Sequence, residues 1–412
     1  MDFDLSWLLL GLPLAFVLGW LASRLDLRQL RLENRQAPKA YFRGLNFLLN
    51  EQQDQAIDAF IEAVQNDPDT QELHFALGNL FRRRGEYQRA VRVHEHLLSR
   101  GDLSRADRER AQHALAQDFL QAGLLDRAEA ALQKLEGTRY QDEARLALLA
   151  IYERSREWSQ AAAIARKLDE TGQASYATRR AHHLCEQADE QSAQGALDEA
   201  ARLLREAVAV APQAPRPAME VAALQLRQGE PGKALDTLIA LAEIAPLALP
   251  LYAATLQQAS VAAQRTGEAL ALLQRRYAAS PSIDVLEAII ALGGTLGGTL
   301  GGTLDGALDD ALGGAPAEGA AAGSGDAPHP RDGYIAHLAH HPSLVAAARW
   351  LAGERFEHEH MHPPVQRVID QATRPLLRYR CAACGFEAHL YFWHCPGCQA
   401  WDSYPPRRVE EL

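Results

Sequence analysis

Four cysteines near the carboxyl end of the chain have the spacing of a metal site. Cys381 and Cys384 form one C-x-x-C unit, and Cys395 and Cys398 form a second after ten intervening residues. Two such units can direct four thiolates at one tetrahedral ion. Because four protein ligands leave no coordination position open, hydrolytic metal catalysis is disfavoured. Cysteine ligands suit zinc or iron, and spacing alone does not choose between them.

The residues around the two cysteine pairs favour tight turns. Gly385 follows the first pair, and Pro396 and Gly397 lie inside the second. The segment Phe386–Trp393 alternates in a way that predicts a short strand or hairpin. A pair of reactive dithiols of the thioredoxin type is the alternative, but it lacks the expected βαβ context. A tail as small as 378–412 builds little core, so we expect the ion to hold it folded.

The elements that must position this tail are helical and repeated. One pattern recurs seven times: a short turn is followed by three residues and then by a small alanine that opens a helix. The alanines are Ala56, Ala90, Ala128, Ala161, Ala200, Ala234 and Ala269. A period of about 34 residues built from two helices is typical of tetratricopeptide repeats. Each alanine is small because the paired helix crosses close to it. Glycines five residues earlier, at 85, 123, 195 and 229, predict turns with positive φ. We therefore predict an all-α tetratricopeptide-repeat solenoid over 41–292.

Composition and charge limit the classes of function. The 412 residues are 47% hydrophobic with a net charge of −11, so the chain can bury a core but lacks the basic surface of a general nucleic-acid binder. The sequence shows no nucleophile–base set and no phosphate-binding loop, so we do not expect an enzyme. The helical residues His74, His94, His96, His182, His183 and Cys185 share no ligand spacing, and we interpret them as packing or surface residues.

An uncharged run of eighteen residues, Leu5–Ala22, begins near the amino end. As a helix it would span about 27 Å, which is enough for the hydrocarbon core of a membrane. A cleaved signal peptide and a buried core helix are the alternatives. Asp2 and Asp4 precede the run and no basic residue does, which disfavours a signal peptide. We predict one transmembrane anchor over 1–24.

A basic juxtamembrane segment, 25–40, follows the predicted anchor. The flanking cations are Arg24, Arg28, Arg31, Arg35 and Lys39. Positive residues stay on the cytoplasmic side, so the bulk of the chain is predicted to be cytoplasmic. The same arginines share one helical face, so contact with anionic headgroups remains open beside their role in topology.

Low-complexity sequence interrupts the array over 293–333, where Gly-Gly-Thr-Leu occurs three times from Gly293 to Leu304. Too few large apolar groups are present to order it, so we predict a flexible insertion. Terminal helices are expected in 334–377, with helical pattern over 334–351 and 364–377. His358, His360 and His362 form an H-x-H-x-H run. We interpret this run as a polar passage, and a chelating strand is the alternative.

Several stretches resemble one known family. They are 44–54, 77–82 and 123–129 in the repeats and 379–386 and 393–401 in the tail. With the order of anchor, repeats and rubredoxin-like end, they resemble the lipopolysaccharide assembly protein B family of Gram-negative bacteria. The Gly-Gly-Thr-Leu insertion departs from that pattern. Gln399 also departs from true rubredoxins, which often carry glycine there, and the spacer between the cysteine pairs is short.

The resemblance implies a function and partners. It implies a single-pass inner-membrane protein, with no nucleic-acid partner, that regulates lipopolysaccharide synthesis. Such a protein helps the membrane protease FtsH degrade the deacetylase that commits precursor to lipid A. It also implies an iron ion of the rubredoxin type at Cys381, Cys384, Cys395 and Cys398, with zinc as the alternative. A scaffold for lipopolysaccharide enzymes, a rubredoxin-like electron-transfer protein and a homo-oligomer remain open.

Overall fold

A computed structural model describes most of the chain. The described residues are 16–18, 20, 42–66, 70–172, 174–296, 330–353 and 362–412. The chain divides into two compact units, Met1–Glu157 and Trp158–Leu412. Each unit is built almost wholly from helices, in agreement with the predicted class.

In the first unit each helix from residue 53 onward packs against the next along the chain. Its helices are α1 (42–49), α2 (Gln53–Asn66), α3 (Gln71–Arg83), α4 (Tyr87–Ser99), α5 (Arg105–Gln121), α6 (Leu125–Gln133) and α7 (Gln141–Ser155).

The second unit continues the same pattern and carries the cysteine tail. Its first helices are α8 (Trp158–Asp169), α9 (Ala177–Ala193), α10 (Leu197–Val210), α11 (Pro215–Arg227) and α12 (Pro231–Ile244). They are followed by η1 (Pro246–Ala248), α13 (Leu249–Ala262), α14 (Thr266–Ala279), α15 (Ile283–Ala291), α16 (Pro330–His340), α17 (Leu344–Ala352) and α18 (His362–Thr373). The tail contains strands β1 (Tyr379–Arg380) and β2 (Glu387–Ala388) and the short helix η2 (Val409–Glu411).

One turn recurs before all seven predicted alanines. The residue five positions before each alanine has φ between 57° and 83°, at Glu51, Gly85, Gly123, Arg156, Gly195, Gly229 and Gln264. The next N–H then donates to a carbonyl five residues back, as Glu86 does to Phe81 at 2.8 Å. This closes the preceding helix. The positive φ predicted at the four glycines is confirmed, and three other residue types tolerate the same conformation.

The seven alanines are fully buried, with 0% of each side chain exposed. Ala200 lies in one apolar cluster with Leu203 and Leu204, and Ala234 lies in another with Leu235 and Leu238. Full burial at all seven positions agrees with the prediction that these residues must be small, because protein interiors are closely packed.

Replacing Ala234 with leucine should destabilise the second unit. Extra methylene groups in a packed core cost about 1–3 kcal/mol. The matched control is Ala240→Leu, because Ala240 is exposed on the same helix. We expect urea unfolding, followed by circular dichroism, to show a lower midpoint for Ala234→Leu than for Ala240→Leu. Equal midpoints would contradict the close packing at Ala234.

The first Gly-Gly-Thr-Leu copy differs from the predicted flexible insertion. Leu296 is buried with the apolar cluster of α13–α15, and the carbonyl of Thr295 accepts a hydrogen bond from the Gln274 side chain at 2.6 Å. A side chain on Gly294 would meet Leu270 at 2.3 Å. This copy therefore packs at the end of α15. Its leucine is buried in the core, and Gly294 allows a close contact with Leu270 that a side chain would prevent. The later copies lie outside the described residues.

Two helices stand where the sequence pattern predicted one over 334–351. The break falls at Pro342, which disfavours helix in the residue before it. Ser343 then caps α17, because its hydroxyl accepts a hydrogen bond from the Ala346 N–H at 2.9 Å. Helix α16 also begins at Pro330, before the expected Tyr334, and proline is favoured in a first helical turn.

The predicted anchor and basic segment lie largely outside the described residues. Of the apolar run, residues 16–18 and 20 are described, and they are helical with exposed side chains. Within the described ranges, no single helix has the length and apolar composition to cross a membrane. The pair Pro231–Ile244 and Pro246–Ala262 meets those criteria jointly but is bent by 119°. Both helices of that pair contribute side chains to the core of the second unit.

Candidate metal centre

The first cysteine pair lies on a small hairpin. Strand β1 pairs antiparallel with β2, with Tyr379 opposite Ala388. Between them the Cys381 N–H donates to the Phe386 carbonyl at 2.9 Å, and the Gly385 N–H donates to the Cys381 carbonyl at 2.9 Å. Gly385 has a φ of 78°, which suits glycine. These bonds fold residues 381–386 into a knuckle that presents two sulfur atoms.

The second cysteine pair repeats the same hydrogen bonds. The Cys395 N–H donates to the Ala400 carbonyl at 2.9 Å, and the Gln399 N–H donates to the Cys395 carbonyl at 2.8 Å. Gln399 has a φ of 60° and corresponds to Gly385 of the first knuckle. Glycine is therefore dispensable at this turn, although an asparagine-like or glycine residue is the usual occupant.

The predicted strand over Phe386–Trp393 is wrong beyond Ala388. Pairing ends because the residues that would face 389 and 390 precede Tyr379 and lie in the turn after α18, where the Arg378 N–H donates to the Pro375 carbonyl at 3.2 Å. The expected alternation fails as well: Tyr391 and Phe392 both pack against the core of the tail, whereas Leu390 is 72% exposed.

The four cysteine sulfur atoms converge. All lie within 4.8 Å of one another. Sγ of Cys381 is 3.8 Å from Sγ of Cys398, and Sγ of Cys384 is 3.7 Å from Sγ of Cys395. A tetrahedral ion with metal–sulfur bonds of about 2.3 Å places its sulfurs about 3.8 Å apart, and a disulfide bond is about 2 Å long. The residues therefore fit one ion held by four thiolates.

The site has a buried half and an exposed half. Cys381 and Cys395 are buried, and Cys384 and Cys398 are exposed. On the buried side the Ser403 hydroxyl lies 3.3 Å from Sγ of Cys381, and the Tyr404 hydroxyl lies 3.8 Å from Sγ of Cys395. These hydroxyls can donate to thiolates and so orient the buried ligands.

The surroundings shift the pKa values of Cys381 and Cys384 in opposite directions. Burial opposes ionisation of Cys381, but hydrogen bonds from Ser403 and the neighbouring backbone lower its pKa to about 6. The Phe386 N–H favours the Cys384 thiolate, yet partial desolvation and the adjacent cysteines raise the pKa of that thiol to about 12. Four thiolates this close repel one another. A cation at the centre removes that repulsion, so the donor set itself favours a bound metal.

Tyr404→Phe is predicted to weaken metal binding without abolishing it. Burial and the adjacent Cys395 raise the pKa of Tyr404, so its hydroxyl keeps the proton that it donates. Loss of such an outer hydrogen bond costs about 10–100-fold in metal affinity. Competition with a fluorescent zinc chelator measures this change. The control is Tyr140→Phe in the first unit, for which unchanged affinity is expected; an equal loss in both variants would contradict the assigned role.

The second knuckle packs against α8 and α9 through aromatic rings. The Trp401 ring stacks on His182, with ring centroids 4.9 Å apart, and meets Trp158 edge-on at 6.2 Å. His183 lies edge-on to Trp401 at 5.7 Å, and Trp393 lies 5.6 Å from His182. We call these five residues the aromatic joint. Nε2 of His182 also donates to Asp402 at 2.9 Å, which fixes the register of the contact.

The carboxyl end of the tail is attached elsewhere in the same unit. Arg408 forms two hydrogen bonds with Asp284 of α15, at 2.9 and 3.0 Å. Glu411 accepts from the Ile283 N–H at 2.6 Å, and Glu410 accepts from the Val345 N–H at 3.1 Å. Each carboxylate thus lies at a helix N-terminus, where negative charge is favoured. We call Arg408, Glu410 and Glu411 the C-terminal latch.

The sequence did not indicate the partners of the tail on the repeats. His182 and His183 were interpreted as packing or surface residues, and the structure places both against Trp401. Of the others, His74 lies on α3, His94 and His96 lie on α4, and Cys185 lies on α9. In the H-x-H-x-H run only His362 is described, and its Nε2 donates to the Leu351 carbonyl at 3.2 Å. His358 and His360 lie outside the described residues.

Comparisons with known proteins agree with this geometry. Residues 379–405 match the family described as the rubredoxin metal binding domain, and residues 73–109 match the tetratricopeptide repeat. Lipopolysaccharide assembly protein B of Escherichia coli K12 is 30% identical over 98% of both chains. The chain belongs to the lipopolysaccharide assembly protein B family. The family protein of Haemophilus influenzae is 25% identical, again over 98% of both chains.

A solved tetratricopeptide repeat protein from Parabacteroides merdae is 16% identical and covers 62% of this chain and 98% of its own, with a TM-score of 0.31. Membership of the lipopolysaccharide assembly protein B family therefore stands on the sequence relatives and on the tail. The tail of this chain matches a metal-binding domain, and its four sulfurs fit either zinc or iron.

Proposed function

We propose that this chain is an inner-membrane adaptor that regulates lipopolysaccharide synthesis by binding rather than by catalysis. The single observation that supports this most is similarity over 98% of the chain to proteins named lipopolysaccharide assembly protein B. A stack of helical repeats suits a binding role, because each hairpin offers side chains to a partner while its neighbours hold it rigid.

The proposed partners are the membrane protease FtsH and the deacetylase that commits precursor to lipid A. In this proposal the repeats hold the deacetylase, and the anchor over 1–24 keeps the complex beside the protease. The cytoplasmic side is proposed for the bulk of the chain because Arg24, Arg28, Arg31, Arg35 and Lys39 follow the apolar run.

The proposed ion is iron, with zinc as the alternative, and Cys381, Cys384, Cys395 and Cys398 are its ligands. When bound, it supplies four metal–thiolate bonds that hold the two knuckles together. Ser403 and Tyr404 orient the buried sulfurs. The aromatic joint and the C-terminal latch attach the tail to the repeats.

Partner capture with the intact anchor tests the proposal. Full-length chain carrying a photoreactive cross-linker on the repeats would be made at native level, and captured proteins would be identified by mass spectrometry. We expect the deacetylase and the protease together. Capture of several lipopolysaccharide enzymes without a protease would instead support a scaffold, and it would contradict the adaptor proposal.

A further inference from the structure

Two of the contacts between the tail and the repeats, the aromatic joint and the C-terminal latch, differ in how they depend on the cysteines. Trp393 and Trp401, the tail residues of the aromatic joint, lie within three residues of the second cysteine pair. Arg408, the first residue of the C-terminal latch, lies ten residues after Cys398. We propose that the metal ion keeps a face of α8 and α9 covered, and that loss of the ion uncovers this face while the C-terminal latch stays attached.

The second knuckle positions the two tail residues of the aromatic joint, Trp393 and Trp401. Trp393 and Asp402 are held together because the Asp402 N–H donates to the Trp393 carbonyl at 2.9 Å. His394 and Trp401 form the next pair of the same hairpin, and their rings stack with centroids 4.4 Å apart. Cys395 and Cys398 lie in the turn of this hairpin. When the ion leaves, these thiolates take up protons and no longer hold the hairpin against the first knuckle.

The covered face is aromatic. It consists of Trp158 on α8 and His182 and His183 on α9. These residues are 6%, 1% and 0% exposed. Their ring contacts from the tail come from Trp393 and Trp401. The occupant of this face is therefore the chain's own second knuckle, and the face opens when that knuckle loses its shape.

The latch has its own hydrogen bonds, none of which involves a cysteine. Besides the contacts with α15 and α17, the Val409 N–H donates to the Arg378 carbonyl at 2.7 Å. Arg408 also donates to the Leu377 carbonyl at 2.8 Å and lies 4.2 Å from the Tyr379 ring centroid. These bonds join the two ends of the tail to each other. The segment 381–403 can consequently open as a loop whose ends remain fixed.

Side-chain modification measures the proposed opening on the purified full-length chain in detergent. Zinc-loaded chain and chain stripped with a strong chelator under reducing conditions are treated with diethyl pyrocarbonate, and modified histidines are identified by mass spectrometry. We expect His182 and His183 to react at least about tenfold faster after stripping, since local opening exposes them. Zinc added alone should restore the slow rate. Buried His94 and part-exposed His113 of the first unit serve as slow and fast references.

Amide hydrogen exchange on the same samples measures the latch. Peptides that contain Ile283 and Val345 should keep their protection after stripping. Trp401→Ala should expose His182 and His183 with the ion still bound, and Glu411→Gln should release Ile283 without exposing them. Unchanged rates at both histidines would overturn the proposal. So would equal loss of protection at the latch, or a parallel rise at His94. The inference does not rest on the proposed function, because every readout is a property of the purified chain.

Discussion

Replacing Cys398 with serine is expected to empty the metal site and abolish regulation while the helical repeats stay folded. Structural zinc sites contribute about 10–16 kcal/mol of apparent binding free energy, which a small tail cannot replace with its own core. The serine oxygen is a poor substitute for a thiolate. The metal-to-chain ratio should therefore fall from one to near zero.

The repeats should survive this change because each hairpin is stabilised mainly by its neighbours. Circular dichroism should retain nearly all of its helical signal, and limited proteolysis should cut within 381–403 first. The matched control is Cys185→Ser. Cys185 is fully buried in an apolar cluster of α9 and α10, and burial raises its pKa, so it has no role as a thiolate. Loss of metal in this control, or normal metal content in Cys398→Ser, would contradict the ligand assignment.

If the proposed adaptor function is right, removing residues 1–24 is expected to stop the chain from accelerating destruction of the proposed client, although the repeats still bind it. Confinement of two proteins to one membrane raises their effective concentration, and avidity gains of about 10²–10⁴ are lost when they are separated. The client's half-life should therefore rise to that of cells that lack the chain. Pulse-chase measurement of the deacetylase at native expression provides the readout.

A chimaera refines this second prediction. An unrelated transmembrane helix is placed before Arg24, so that the basic flank is retained. We expect partial rescue, because confinement returns but helix packing in lipid depends on side-chain shape. Normal turnover with the anchorless chain would show that membrane confinement is not needed, and a freely diffusing scaffold would then be the better explanation.

Local patterns in the sequence predicted the repeats well because each repeat is determined by nearby residues. The alanines and the turns before them follow from close helix crossing and from a left-handed backbone position, both of which act within a few residues. The convergence of the four sulfurs also followed from spacing within eighteen residues. The break at Pro342 is also a local effect of proline, but the apolar pattern continues on both sides of it and therefore predicts one helix.

The attachment of the tail could not be predicted in this way. His182 and Asp402 are 220 residues apart, and no spacing rule joins a histidine on one helix to a knuckle so far along the chain. The same holds for Arg408 and Asp284, which meet across 124 residues. The strand after Ala388 failed for a related reason, because the residues that would pair with it, just before Tyr379, form a turn. Alternation describes a strand only where a neighbour continues.

Elemental analysis of the purified full-length chain tests the central claim most directly. The measurement counts iron and zinc per chain after gel filtration in detergent, beside a titration of free thiols under denaturing conditions. We predict one ion per chain, with iron and zinc summing to one, and all five cysteines reduced. A chain that carries neither metal at a stoichiometric level, or whose tail cysteines are joined as disulfides, would contradict the account.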